Sequence, residues 1–211
     1  MASKLPVSYR PALGRVGLWI VLEMDWPPQP IHSCAPGTDT YGARQLYLLS
    51  ESSLSYVYAE AGPGGVAGGG FWGAATDEKR VYTNIANSDT KNFTLKPSAK
   101  NTTAGGWVAM DAQSGKILWS IADPGNATAS GPVSVANGVL FAGSTNKQGP
   151  VYAIHAETGE ILWSYATGAT VYGGMSVSDG CFYVGSGYAV RLGAYFPFTA
   201  GTSLYAFCIN P

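Results

Sequence analysis

Charge is scarce in this chain. Only 12% of its 211 residues are Asp, Glu, Lys or Arg, the net charge is −1, and the basic residues form no stripe. That balance excludes an electrostatic surface for nucleic acid or for an acidic membrane. Histidine is nearly absent, with only His32 and His155, and the three cysteines include no adjacent pair and no Cys-x-x-Cys-His run. A zinc site and a covalently attached haem therefore have no ligands to build on. No long apolar run exists: Val16 to Leu22 is too short to span a bilayer, and Glu23 and Asp25 follow it with no small-residue cleavage site. The glycine-rich stretch from Gly62 to Gly70 lacks the Lys-Ser/Thr of a phosphate loop, and no Gly-x-Ser-x-Gly elbow marks a hydrolase.

Glycine and aromatic residues are plentiful, at 28 residues and 12%. Many short strands joined by tight turns produce that mixture, because glycine supplies the positive-φ positions that turns require. Three Asn-x-Ser/Thr acceptor patterns occur, at Asn92-Phe93-Thr94, Asn101-Thr102-Thr103 and Asn126-Ala127-Thr128. They lead to the expectation of a secreted, extracellular or cell-wall protein. Cys181 and Cys208 each lie in a strand-like run. They form a disulfide if the compartment is oxidising, and are otherwise two small buried apolar residues.

The internal repeat decides the fold class. Trp107-Val-Ala-Met-Asp-Ala-Gln-Ser-Gly-Lys-Ile-Leu-Trp-Ser120 aligns without a gap on Val151-Tyr-Ala-Ile-His-Ala-Glu-Thr-Gly-Glu-Ile-Leu-Trp-Ser164, an offset of 44 residues (151 − 107). Leu204-Tyr205-Ala206-Phe207 is a third, partial copy. Each copy is preceded by a hairpin, turning at Asn137-Gly138, at Asp179-Gly180 and, in the earliest copy, at Asp77-Glu78-Lys79-Arg80. Asn-Gly and Asp-Gly between alternating apolar residues are strong type I′ hairpin signals. Four short antiparallel strands per unit at this period imply propeller blades, so the expectation is an all-β, partial β-propeller of about three four-stranded blades, at about 71–121, 131–165 and 173–208. Residues 1–53 lack the repeat, and Leu54 to Tyr58 reads as the last strand of an earlier blade within a propeller segment spanning 54–211. Trp119 and Trp163 end their strands where a large ring can fill the wedge between neighbouring sheets. His155 takes the repeat position of Asp111 and is read as a blade-turn residue.

The pattern Ala-x-Asp-x-x-Ser/Thr-Gly-Lys-x-x-Trp at Ala109 to Trp119 resembles the tryptophan-docking motif of quinoprotein dehydrogenases. From Glu60 to Ile209 the chain looks most like the plant group resembling polyvinyl-alcohol dehydrogenase. The runs that carry this likeness are Ala61-Gly62-Pro63-Gly64-Gly65, Trp72-Gly73-Ala74-Ala75-Thr76-Asp77, Ala104-Gly105-Gly106-Trp107-Val108-Ala109-Met110-Asp111 and Ser203-Leu204-Tyr205-Ala206-Phe207-Cys208. The resemblance implies an eight-bladed ring with pyrroloquinoline quinone (PQQ) and calcium at its centre, oxidising a small or polymeric alcohol.

Site residues carry over by the same resemblance. Trp72 stands where the family's quinone-stacking Trp precedes an Asp, with Phe71 as the neighbouring choice, and Asn87 resembles a calcium-ligating Asn. Lys147 replaces an Arg near the quinone, keeping the charge but losing the planar fork. Asp123 is the only carboxylate near the position of the catalytic base, although it comes earlier than the family's pattern and Asp-Pro also reads as a turn initiator. Three blades cannot close a ring, and open edges invite self-association. The expected function is that of a truncated PQQ-dependent alcohol dehydrogenase-like oxidoreductase, and the competing expectation is a non-catalytic propeller scaffold that binds another protein.

Overall fold

A computed structural model describes residues 59–65, 73–188 and 198–209, together with the backbone of two strands, β1 (Trp19–Glu23) and β2 (Gln45–Leu49). Those two form an antiparallel ladder from Trp19 opposite Leu49 to Glu23 opposite Gln45, within the segment that carries no repeat. Trp72, Phe71 and the strand expected at 54–58 lie outside the described residues.

The first blade is the meander β3 (Ala75–Thr76), β4 (Arg80–Ile85), β7 (Gly106–Asp111) and β8 (Ile117–Ala122). A small hairpin, β5 (Phe93–Thr94) with β6 (Asn101–Thr102), is inserted between its second and third strands. The second blade is β9 (Ser134–Ala136), β10 (Val139–Gly143), β11 (Pro150–His155) and β12 (Ile161–Ala166). The third has three strands among the described residues, β13 (Ser176–Ser178), β14 (Cys181–Gly185) and β15 (Leu204–Cys208). All pairings are antiparallel, and both complete blades shift register at the same repeat position, after Ala109 and after Ala153.

The turns follow from local chemistry. Asn137 and Gly138 have φ of 49° and 75°, and Asp179 and Gly180 have 50° and 74°, the double left-handed geometry of a type I′ hairpin. After the third strand of each blade, the chain turns on Asp111 and on His155. Asp111 Oδ1 accepts from the Ser114 amide at 2.8 Å, and His155 Nδ1 accepts from the Glu157 amide at 3.3 Å. His155 is thus the blade-turn residue its repeat position implies. A backbone bond recurs beside each turn: Ala112 to Lys79, Ala156 to Gly138, and Ile209 to Gly180.

Strand β7 is apolar from Trp107 to Met110 because both of its faces are covered there. Alternation sends Val108 and Met110 toward Ala59, Ala61, Val81 and Ile85, and sends Trp107 and Ala109 toward Leu140, Tyr152 and Ile154 of the second blade. The segment 59–65 approaches closely enough that a Cβ on Gly62 would lie 2.7 Å from Ile85.

Trp119 seals the joint between the first two blades. Its ring is 2% exposed, and its indole N–H donates to the Ala156 carbonyl at 2.9 Å. Gly159, at φ 76°, passes beneath the ring so closely that a Cβ there would stand 2.8 Å from it. Arg80 adds a polar clasp at the same end, reaching Asp77 at 2.9 Å and Glu157 of the second blade at 2.6 Å. Trp163 differs from its repeat partner. It is 39% exposed and packs edge-on against Phe182 and Phe207, within an aromatic joint that also holds Phe141, Tyr165 and Tyr205. Cys181 and Cys208 pair in a disulfide directly across β14 and β15.

Replacing Trp119 with Ala removes the ring and its hydrogen bond together, and is expected to cost about 3–5 kcal/mol. Gly159→Ala, which adds one methyl group under the ring and strains the backbone, is expected to lower stability by more than about 1 kcal/mol. Urea unfolding followed by circular dichroism measures both. If Gly159→Ala were neutral, the contact between turn and ring would not be what holds the two blades together.

Candidate functional site

In an antiparallel meander, connections alternate between the two ends of the sheet. The tight turns at 77–79, 112–116, 137–138, 156–160 and 179–180 lie at one end, together with the disulfide and the Arg80 clasp. The longer connections at 86–105, 123–133 and 144–149 lie at the other. Asn87, Asp123 and Lys147 all belong to that second set, so the topology gathers three of the four candidate residues at one end of the blades. Trp72, the fourth, lies outside the described residues.

Asp123 is buried, at 2% exposure. Its carboxylate accepts from the Ser144 hydroxyl, from the Gly125 amide at 2.8 Å and from the Tyr152 hydroxyl at 3.3 Å. Its backbone amide donates to the Gly105 carbonyl at 2.8 Å. Four chain segments from two blades therefore meet on one residue. Burial raises the Asp123 pKa above the ordinary carboxylate value, against the lowering effect of these hydrogen bonds. Burial, with the adjacent carboxylate, raises that of Tyr152 as well.

Asn87 is fully buried at φ 46°, a left-handed conformation that Asn tolerates. Its Nδ2 donates to the carbonyls of Lys91, Thr103 and Ala104 at 2.9, 2.9 and 3.2 Å, while its Oδ1 accepts from the Lys91 amide at 3.0 Å. The carboxamide thus closes the long loop in which it sits. Lys147 is exposed at the tip of the 144–149 connection. The neighbouring Asn146 ties that connection to the Asp123 loop through its bond to the Gly125 carbonyl at 3.1 Å.

At the opposite end Asp77 shows the reverse balance. Burial alone would raise its pKa, but hydrogen bonds from Tyr82 and Arg80 outweigh that effect and hold it below the usual carboxylate range. The distinction between the two aspartates is one of partners: Asp77 has a guanidinium beside it, and Asp123 has only neutral donors.

The residues on which Asp123 depends were not singled out from the sequence. Tyr152 and Ser144 recur in the repeat as Tyr205 and Ser186, and Thr167 takes the place of Asp123 (167 − 123 = 44). Tyr205 donates to the Thr167 carbonyl at 2.8 Å, so each of these tyrosines reaches back to the corner of the preceding blade. The recurring Tyr-Ala pair was the available signal. Trp107, also at this joint, is fully buried against Tyr152, at 5.3 Å between rings, and its indole N–H has no hydrogen-bond partner.

Comparison with known proteins agrees with this architecture. Residues 104–204 match the PQQ repeat family described as outer membrane protein assembly factor BamB. A polyvinylalcohol dehydrogenase from Sphingopyxis sp. (strain 113P3) is 27% identical over 154 residues, covering 61% of this chain and 22% of the relative. Among solved structures, the quinohemoprotein alcohol dehydrogenase ADHIIG from Pseudomonas putida HK5 superposes with a TM-score of 0.52 at 16% identity, over 87% of this chain and 30% of that one. A europium-containing methanol dehydrogenase superposes with the same score and identity, over 87% and 37%. The match therefore spans between 22% and 37% of the length of these relatives.

Because native Asp123 has a raised pKa, the folded state holds its proton where the unfolded chain has lost it. Stability is thus expected to fall as pH rises from the ordinary carboxylate value through the raised one. Asp123→Asn, which cannot ionise, is expected to flatten that slope in urea unfolding measured across pH. Asp123→Ala strands the Ser144, Tyr152 and Gly125 donors and is expected to cost about 1–3 kcal/mol. An unchanged slope in the Asn variant would show that another group titrates.

The docked tryptophan, the repeated blade turns and the sequence match across 104–204 together make this chain a partial β-propeller whose repeat is similar to that of the PQQ repeat family and of quinoprotein dehydrogenases.

Proposed function

We propose that these blades form part of a PQQ-dependent alcohol dehydrogenase-like oxidoreductase of the polyvinyl-alcohol-dehydrogenase type, acting on a small or polymeric alcohol. The supporting observation is the convergence of Asn87, Asp123 and Lys147 on one end of the blades, with the docking turns at the other. When bound there, PQQ would supply the two-electron acceptor, and the protein would position it. Lys147 would offer an exposed cation to an anionic cofactor, and Asp123 would keep the 123–133 and 144–149 connections in place.

Calcium fits the described residues poorly. No group of three His, Cys, Asp or Glu side chains comes together among them, and the only oxygen of the Asn87 side chain already holds an amide. Its ligands would come from elsewhere in a closed ring.

A second reading is favoured by that same internal satisfaction of Asn87 and Asp123: a non-catalytic propeller that binds another protein or a second copy of itself. Strand β15, which pairs only with β14 among the described residues, would serve as its edge, where Leu204 is 75% exposed.

Thermal unfolding with and without PQQ plus calcium separates the two. A site loaded at about 100-fold over its Kd adds about 2.7 kcal/mol. The enzyme reading therefore expects the midpoint to rise by roughly 5–10 °C, and Trp72→Ala to abolish the rise. A cooperative melt that PQQ leaves unmoved would support the scaffold.

A further inference from the structure

The hairpin β5–β6 is an addition to the blade. It lies across β8, the outer strand of the first blade: the Ser120 amide donates to the Lys96 carbonyl at 2.6 Å, and the Lys96 amide donates to the Ser120 hydroxyl at 2.8 Å. Leu95 is buried beneath it. An edge that would otherwise present open backbone groups is thereby covered. The second blade has no such hairpin, and every residue of its outer strand β12 is exposed.

Two of the three Asn-x-Thr patterns fall on this cover. Asn92 directly precedes β5 and Asn101 lies on β6; both are exposed, on the structure's solvent side. Thr94 stands opposite Asn101 in the ladder, and its hydroxyl donates to the Asn101 Oδ1 at 2.7 Å. That bond engages the carbonyl oxygen and not Nδ2, the atom a glycan would occupy. Asn126 carries the third pattern but sits in the loop that encloses Asp123, where Thr128 of its tripeptide bonds Thr145. The Cys181–Cys208 disulfide is an independent observation that points the same way, because such bonds persist in oxidising compartments, where N-glycans are also added.

We propose that Asn92 and Asn101 carry N-linked glycans, making the β5–β6 hairpin a sugar-bearing cover over the outer edge of the first blade. In the transfer, the asparagine Nδ2 forms a bond to the anomeric carbon of a lipid-linked oligosaccharyl diphosphate. The anomeric carbon–oxygen bond breaks, the lipid diphosphate leaves, and the amide gives up one proton. The acceptors meet both structural requirements: a hydroxyl two residues on, and a folded position that leaves room for the sugar. This inference stands apart from the quinone reading, since it needs no cofactor; both residues lie in the 86–105 connection that Asn87 closes, but neither bonds Asp123.

The test is to secrete the full chain from eukaryotic cells behind a cleavable leader and treat it with peptide N-glycosidase. Mobility is expected to shift on treatment, and peptide mass spectrometry is expected to find Asp in place of Asn at positions 92 and 101 after enzymatic release. Asn92→Gln and Thr103→Ala are each expected to remove one glycan while leaving the other. Secreted protein with unmodified Asn92 and Asn101 and a strand-rich circular dichroism spectrum would overturn the proposal.

Discussion

A propeller blade cannot stand alone, because an antiparallel sheet that is apolar on both faces needs a neighbour on each. In this chain that need is met most completely where Trp119 of the first blade lies over the 156–159 turn of the second. The ring brings a large apolar area into the wedge, the indole N–H ties it to the Ala156 carbonyl, and Gly159 lacks the Cβ that would collide with it. Relative blade placement follows from this contact, and with it the meeting of Asp123 with Ser144 and Tyr152 at the far end of the same joint.

The two ends of that joint use different chemistry. Near the docking turns, Arg80 bridges Asp77 and the exposed Glu157, an arrangement that water screens and that contributes modestly. At the loop end a single carboxyl is held by neutral donors in a dry environment, so that its protonation state and the fit of the two blades are coupled. The third blade replaces both devices with an aromatic cluster and a cross-strand disulfide, at the register position where the first blade places Arg80 opposite Asp111.

This division bears on function. The loop end carries the residues that a likeness to quinoprotein dehydrogenases singles out, yet Asn87 and Asp123 spend their polar atoms on holding loops and blades together. A residue type in the right place along the chain is compatible with either role, because both a ligand and a loop-closing carboxamide need a buried oxygen at a strand end. Only its hydrogen-bond partners separate the two.

Much of the architecture was written in the order of residues alone. The 44-residue repeat, the Asn-Gly and Asp-Gly turns and the recurring Trp determine blades, hairpins and the docking contact, since each rests on local backbone geometry or on an apolar period. The pairing of Cys181 with Cys208 was open in the sequence and was decided by register, which places the two directly opposite. The roles of Asp123, Ser144 and Tyr152 were decided only by tertiary structure, because residues 21 and 29 positions apart on two different blades become neighbours through packing that no local pattern encodes. Likewise, nothing in the run from Phe93 to Thr102 marks it as a cover for β8; that follows from where the chain between two strands of one sheet finds an unpaired edge.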